Sequence, residues 1–242
     1  MDQITNWVYA IEGTPQGHNV ALALALLAAF LHAVFGALQK GRYDPWLSRG
    51  AIDFGYCVMA LPVALFVVPW PERDLWPIYI GVFLIHATYK YLQAMAYSRG
   101  AYTVVYPVVR GMGPFFTVIG AYVLFDERFN AVQWIGVAVL MAGIFGLAAF
   151  NMKYLTQARD TLFAALGYAV LTGLFVALYT TYDAYGIRFA DNPFTFLVWF
   201  FVIDGLLFPI IALVRWRAMA DRPDPWLLLR RGFMGGFVAY FS

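Results

Sequence analysis

Lys90 and Arg110 are cations set inside two consecutive apolar runs of this 242-residue sequence, and they are its strongest chemical signal. A cation at the centre of a bilayer costs about 2.5–3.5 kcal/mol, so two at one level require a partner, a water-filled cavity or an anionic ligand. Lys90 lies eight residues before Ser98, and Arg110 lies nine after Ala101. At about 1.5 Å per helical residue both then sit ~12–14 Å from one membrane face and can line one cavity. His86, Lys90, Gln93 and Tyr97 recur at helical spacing, a polar face on an otherwise apolar run. Such a face suits an anionic group, with Tyr89 and Tyr106 as an apolar wall for an amphipathic substrate. The plainer reading of Lys90 is a side chain whose stem carries its head to water. Arg110 has less escape, because it does not deprotonate.

The stretch Tyr106-Pro107-Val-Val-Arg110-Gly111-Met112-Gly113-Pro114 puts two prolines and two glycines beside the arginine. Each proline removes a helix hydrogen bond, here to the carbonyls of Thr103 and Arg110, so a helix break is expected there. Broken backbone at membrane depth survives only under protein or water cover, and it can cradle a carboxylate, phosphate or phosphonate. The alternative is a packing kink whose small residues let helices approach. Asp204, midway along a later run, reads as the one buried carboxylate, able to neutralise Lys90 or Arg110 or to carry a coupling proton. His32 is placed to share that relay, or else to pack. Asp53 and Asp183 are expected at the interfaces, and Glu127-Arg128 as a helix-end or gate contact.

The elements that must position these groups follow from composition and run length. With 62% hydrophobic and only 12% charged residues, the chain reads as an all-α polytopic membrane protein without a soluble domain. Eight spans are expected, near 19–40, 50–70, 76–98, 101–125, 131–150, 160–182, 194–214 and 228–242. The last run stays apolar up to Ser242 with no closing polar cluster, which points to a truncated frame. The first 18 residues lack the basic and apolar segments of a signal peptide. Eleven Lys and Arg residues fall after the odd-numbered spans; only Arg73, Arg128 and Arg188 lie on the other side. The basic loops are therefore expected in the cytoplasm and the N-terminus outside. The lone Cys57 excludes disulfides and cysteine-rich metal sites, and neither metal nor cofactor is expected.

Spans two and seven share an aspartate, a proline and a tryptophan in that order, Asp53, Pro62, Trp70 and Asp204, Pro209, Trp216, which hints at a repeat. A repeat of five spans must be inverted relative to its copy. Residues Ala94 to Gly143 resemble the fourth and fifth helices of the drug/metabolite transporter superfamily, EamA-type. The resemblance lies in Pro107 or Pro114, in Glu127-Arg128, and in Gln133-Trp134-Ile135-Gly136. The pattern from His32-Ala33 to Ala37-Leu38-Gln39-Lys40 is similar to a sub-branch, some of whose members accompany phosphonate-utilisation genes. This resemblance implies a ten-helix inverted-repeat (5+5) fold, with 1–150 as the first repeat and 151–242 as three helices of the second. Many members have a cytoplasmic N-terminus, the reverse of the charge-based orientation.

The sequence carries no Gly-x-x-x-x-Gly-Lys-Ser/Thr loop, so transport would run on a gradient. The expected function is secondary transport or export of a small anionic or zwitterionic metabolite by alternating access, across a bacterial inner membrane. Its partners would be substrate and bilayer, with a homodimer open and nucleic acid excluded. The alternatives are an intramembrane lipid-modifying enzyme and a non-transporting helical subunit.

Overall fold

A computed structural model describes residues 2–39, 44–124, 126–154 and 159–240, and the described residues form helices and their connections, with no strand. In chain order the helices are α1 (Asp2–Ile11), α2 (Pro15–Gln39), α3 (Pro45–Phe66), α4 (Leu75–Arg99) and α5 (Tyr102–Leu124). They continue as α6 (Ala131–Tyr154), α7 (Arg159–Phe189), α8 (Pro193–Asp204), α9 (Leu207–Ala218) and α10 (Pro225–Tyr240). Among the described residues, five stretches are long and apolar enough to cross a membrane: Pro45–Phe66, Tyr102–Val123, Ala131–Tyr154, Thr161–Phe189 and Pro193–Ala218. The 25-residue α4 has the length as well, and its polar face lowers its hydropathy. The chain is thus a polytopic all-α membrane protein. Helix α1 was not expected, and the sixth span runs on to Phe189.

Short-range chemistry sets several helix starts. Asp44 accepts from the backbone N–H groups of Trp46 and Leu47 at 2.9 and 3.4 Å, with Pro45 in the first turn. Asn192 does the same for Phe194 and Thr195 ahead of α8, again followed by a proline. Before α6, Asn130 and Gln133 exchange side chain-to-backbone bonds at 2.8 and 3.0 Å, a reciprocal cap.

The helices divide into two compact units, Met1–Phe83 with Ala184–Ser242, and Leu84–Asp183. This division of packing cuts α4 and α7. In the first unit α3 is surrounded by α8, α9 and α10. Helices α3 and α10 touch backbone to backbone: a Cβ on Gly55 would lie 2.7 Å from the Gly232 carbonyl oxygen, and one on Gly236 2.7 Å from the Tyr56 nitrogen. Small residues permit that approach, and dispersion between the backbones holds the pair where lipid gives no hydrophobic drive. Helices α8 and α9 form one span interrupted after Asp204, at Gly205 and Leu206.

In the second unit Val104, Val105, Val108, Val109 and Met112 of α5 pack with Ala96, Ala148, Ala165 and Ala169 from α4, α6 and α7. The break expected at Pro107, Gly111, Gly113 and Pro114 is absent: α5 is helical throughout, with both prolines inside it. The continuity of α5 has a tertiary contribution. The Thr103 carbonyl that Pro107 leaves unbonded accepts from Asn151 Nδ2 on α6 at 3.2 Å. The glycines seat neighbours instead of opening the backbone, since a Cβ on Gly111 would strike Ile144 and one on Gly113 would lie 2.8 Å from Val176 Cγ1. Asn151→Leu should therefore cost about 0.5–1.5 kcal/mol, the net worth of one exposed hydrogen bond near the start of α5. Thermal unfolding in detergent checks it, and Asn151→Gln should lose less.

Candidate functional site

The second unit gathers one polar cluster from three helices. Along α4, His86, Tyr89, Lys90 and Gln93 are buried, Lys90 to 1% exposure, and Tyr97 is half-buried one turn further. Helix α7 supplies Tyr179 and Asp183, and α5 supplies Tyr102, Tyr106 and Arg110. His86 Nε2 lies 2.9 Å from Asp183 Oδ2. The Tyr179 ring sits 4.6 Å from the imidazole and 5.0 Å from Tyr89. Gln93 Nε2 donates to the Tyr89 hydroxyl at 2.8 Å, which fixes that ring's tip.

Arg110 occupies the tyrosine-rich end of the cluster. Its guanidinium lies 5.5 Å from the Tyr106 ring centre and interacts electrostatically with the hydroxyls of Tyr89, Tyr97, Tyr106 and Tyr179. Tyr106 stacks on Tyr102 at 4.9 Å, and Tyr102 meets Tyr97 at 5.1 Å. The Tyr97 hydroxyl is buried with no hydrogen-bond partner among the described residues. Tyrosine rings packed beside a guanidinium give an aromatic wall next to a positive charge, a combination suited to an anion with an apolar part. Among the described residues no three His, Cys, Asp or Glu side chains converge as metal ligands would.

The residues singled out in the sequence fall as follows. His86, Tyr89, Lys90, Gln93, Tyr97, Tyr106 and Arg110 all belong to this unit, and Tyr89 links the His86 end to Arg110. Asp204 belongs to the other unit, where it ends α8, is buried, and accepts from the Tyr56 hydroxyl at 2.6 Å. It is not the sole buried carboxylate. Asp53, expected at an interface, is fully buried and pairs with Arg49 one turn earlier at 2.8 Å, because α3 is packed on several sides. Asp183, also expected at an interface, is drawn in by His86. The His32 side chain lies outside the described residues, as does all of Lys40. Asp183, Tyr179, Tyr102 and Tyr56 were missed; for the first two, the polar run from Tyr179 to Asp183 on an apolar helix was the available signal.

A model of the EamA-like transporter family matches residues 19–149, more than half of the chain. Over 77 residues the sequence is 32% identical to y4nH, an uncharacterised protein of Sinorhizobium fredii. That stretch is 32% of this chain and 66% of the relative, so slightly under two thirds of the relative's length is spanned. No solved structure matches. With its membrane-length helices and a family match over most of α2 to α6, the chain belongs to the EamA-like transporter family as a multi-pass membrane protein.

Proposed function

We propose that this protein is a secondary transporter of a small organic anion or zwitterion, bound at Lys90 and Arg110 and moved by alternating access. The observation that carries this reading is the half-buried Arg110 guanidinium, 5.5 Å from the Tyr106 ring centre and interacting with four tyrosines, with buried Lys90 on the adjoining helix. Family membership supports transport, and the two cations supply the charge preference. Lys90 and Arg110 bind the acidic group, Gln93 holds Tyr89 in place, and the tyrosine rings cover the apolar part of the substrate. Asp204, bonded to Tyr56 in the other unit, balances charge. The family match over 19–149 supports 1–150 as one repeat built on the five longer helices α2 to α6, with 151–242 contributing helices of a second, inverted copy. The excess of Lys and Arg after the odd-numbered spans supports an N-terminus outside a bacterial inner membrane.

The test is uptake by proteoliposomes of labelled carboxylates, phosphates, phosphonates and amino acids, each with a neutral analogue beside it. Transport of an anion or zwitterion and not of its neutral analogue is the expected result. Preference for cations across the panel would overturn the reading.

A further inference from the structure

We propose that a groove beside α3 is a site for an anionic phospholipid, with one acyl chain lying in the groove and the phosphate held by Arg222 at its mouth. The groove belongs to the first unit, so the inference stands independently of the roles given to Lys90 and Arg110. Helices α9 and α10 each pack against α3. Glycines set both helices directly on it: a Cβ on Gly50 would lie 2.6 Å from the Phe208 carbonyl oxygen, and one on Gly232 would strike the Ala51 carbonyl. Beside these contacts a cavity of about 370 Å³ remains, walled by Leu47 and Phe54 of α3, Ile210, Leu213 and Trp216 of α9, and Leu228 of α10. That volume falls within the ~300–1,000 Å³ typical of ligand sites. From Leu47 to Phe54, and again from Pro209 to Trp216, the walls run about 10 Å along the helix axes. The one polar group on a lining side chain is the Trp216 indole N–H, which donates to the Pro223 carbonyl at 3.0 Å. What fills the groove must therefore be apolar along its length.

The charge of the occupant is set at one end. Trp216 stands two residues before α9 closes its span at Ala218, and α10 starts at Pro225, so this end meets the short polar connection 219–224 at a membrane face. Arg222 folds back on that connection, its Nε and Nη2 donating to the carbonyls of Met219 and Arg217 at 3.2 and 2.8 Å. Its guanidinium lies 5.3 Å from the ring centre of Trp216, which puts a fixed cation against a groove wall. A guanidinium has five N–H donors, so these two bonds fix its position and leave others for phosphate oxygens. Arg217 follows Leu213 by four residues and continues the lining face of α9. Within 217–231, Arg217, Arg222, Arg230 and Arg231 are all exposed and outnumber Asp221 and Asp224, while Arg215 is paired with Asp44 at 2.7 Å. An apolar slot that ends in arginines at a membrane face matches an anionic lipid, chain in the slot and phosphate at the mouth. A second copy of this chain is the poorer match, because a two-fold contact sets a patch against itself and would bring arginine to arginine.

Native mass spectrometry of the purified full chain in detergent tests this, with titration by dioleoyl phosphatidylglycerol or by zwitterionic dioleoyl phosphatidylethanolamine. The first phosphatidylglycerol should bind about fivefold more tightly or better. Replacing both Arg217→Gln and Arg222→Gln should bring the ratio to about one, whereas Arg128→Gln, which removes an exposed cation elsewhere, should preserve it. Leu213→Trp fills the groove and should weaken phosphatidylglycerol binding about tenfold. Leu213 is 47% and Ile210 62% exposed, so Ile210→Trp repeats the test if the first variant is not recovered. Excess glycerol 3-phosphate, a head group without chains, should leave the lipid in place. Equal affinity for the two lipids, or a preference that survives the double substitution, overturns the anionic site. Binding unchanged in the groove-filling variants, or lipid displaced by glycerol 3-phosphate, overturns the acyl-chain groove. A dimer that dissociates in Leu213→Trp overturns it as well and puts a second copy there.

Discussion

Arg110→Gln should reduce anion uptake in proteoliposomes by about a hundredfold or more, with the yield and melting temperature of the purified protein little changed. Glutamine keeps a hydrogen-bonding amide, two bonds shorter in reach, and removes the charge that a buried anion requires. Truncating one partner of a buried charge pair costs about 2–5 kcal/mol, and a tenfold change in binding corresponds to ~1.4 kcal/mol. The fold should tolerate the change, since the neutral side chain is easier to bury and the surrounding tyrosines keep their ring contacts with one another. Arg110→Lys should recover part of the activity, as a point charge without the planar fork. Arg128→Gln is the control. Arg128 and its partner Asp126 are 78% and 82% exposed, so uptake there should match wild type. Uptake by Arg110→Gln within twofold of wild type would remove Arg110 from the site.

The second large effect concerns folding. Gly236→Leu should abolish recovery of monodisperse protein, measured by fluorescence-detected size exclusion after extraction. The obstacle is backbone: a Cβ at Gly236 would lie 2.7 Å from the Tyr56 nitrogen and 3.0 Å from the Ile52 carbonyl oxygen, neither of which can rotate aside. Overpacking typically costs about 1–3 kcal/mol where side chains can shift, and more where they cannot. Moving α10 off α3 would also disturb Tyr56, whose hydroxyl holds Asp204. Gly136→Ala in α6 is the comparison, because a Cβ there meets nothing within 4 Å. It should be neutral or slightly stabilising, as alanine favours helix over glycine. If Gly236→Leu is recovered like wild type, the close α3–α10 contact is wrong.

Much of the helical plan was legible along the chain, and for a local reason. Run length and hydropathy are properties of neighbours in sequence, and so are the side-chain caps at Asp44, Asn192 and Asn130. The depth of Lys90 and Arg110 could be counted for the same reason. What sequence by itself determined was therefore which segments are helices, roughly where they start, and which of them carry polar groups into the membrane.

Tertiary structure decided which of those groups meet. Asp183 reads as an interfacial residue until α7 is set against α4, and only then does its carboxylate find His86. Asp53 looks like a helix-end aspartate until several helices close around α3 and leave it fully buried on Arg49. The prolines of α5 predict a break from local rules alone, yet the helix continues. Part of the reason is that a donor 48 residues away, on Asn151, serves the carbonyl that Pro107 exposes. The interruption after Asp204 went unread because Gly205 and Leu206 lie in an unbroken apolar run, where hydropathy gives no sign of a turn. In each case the deciding quantity is the rotation and spacing of one helix against another. It is set by packing over distant residues, and no window along the chain contains it.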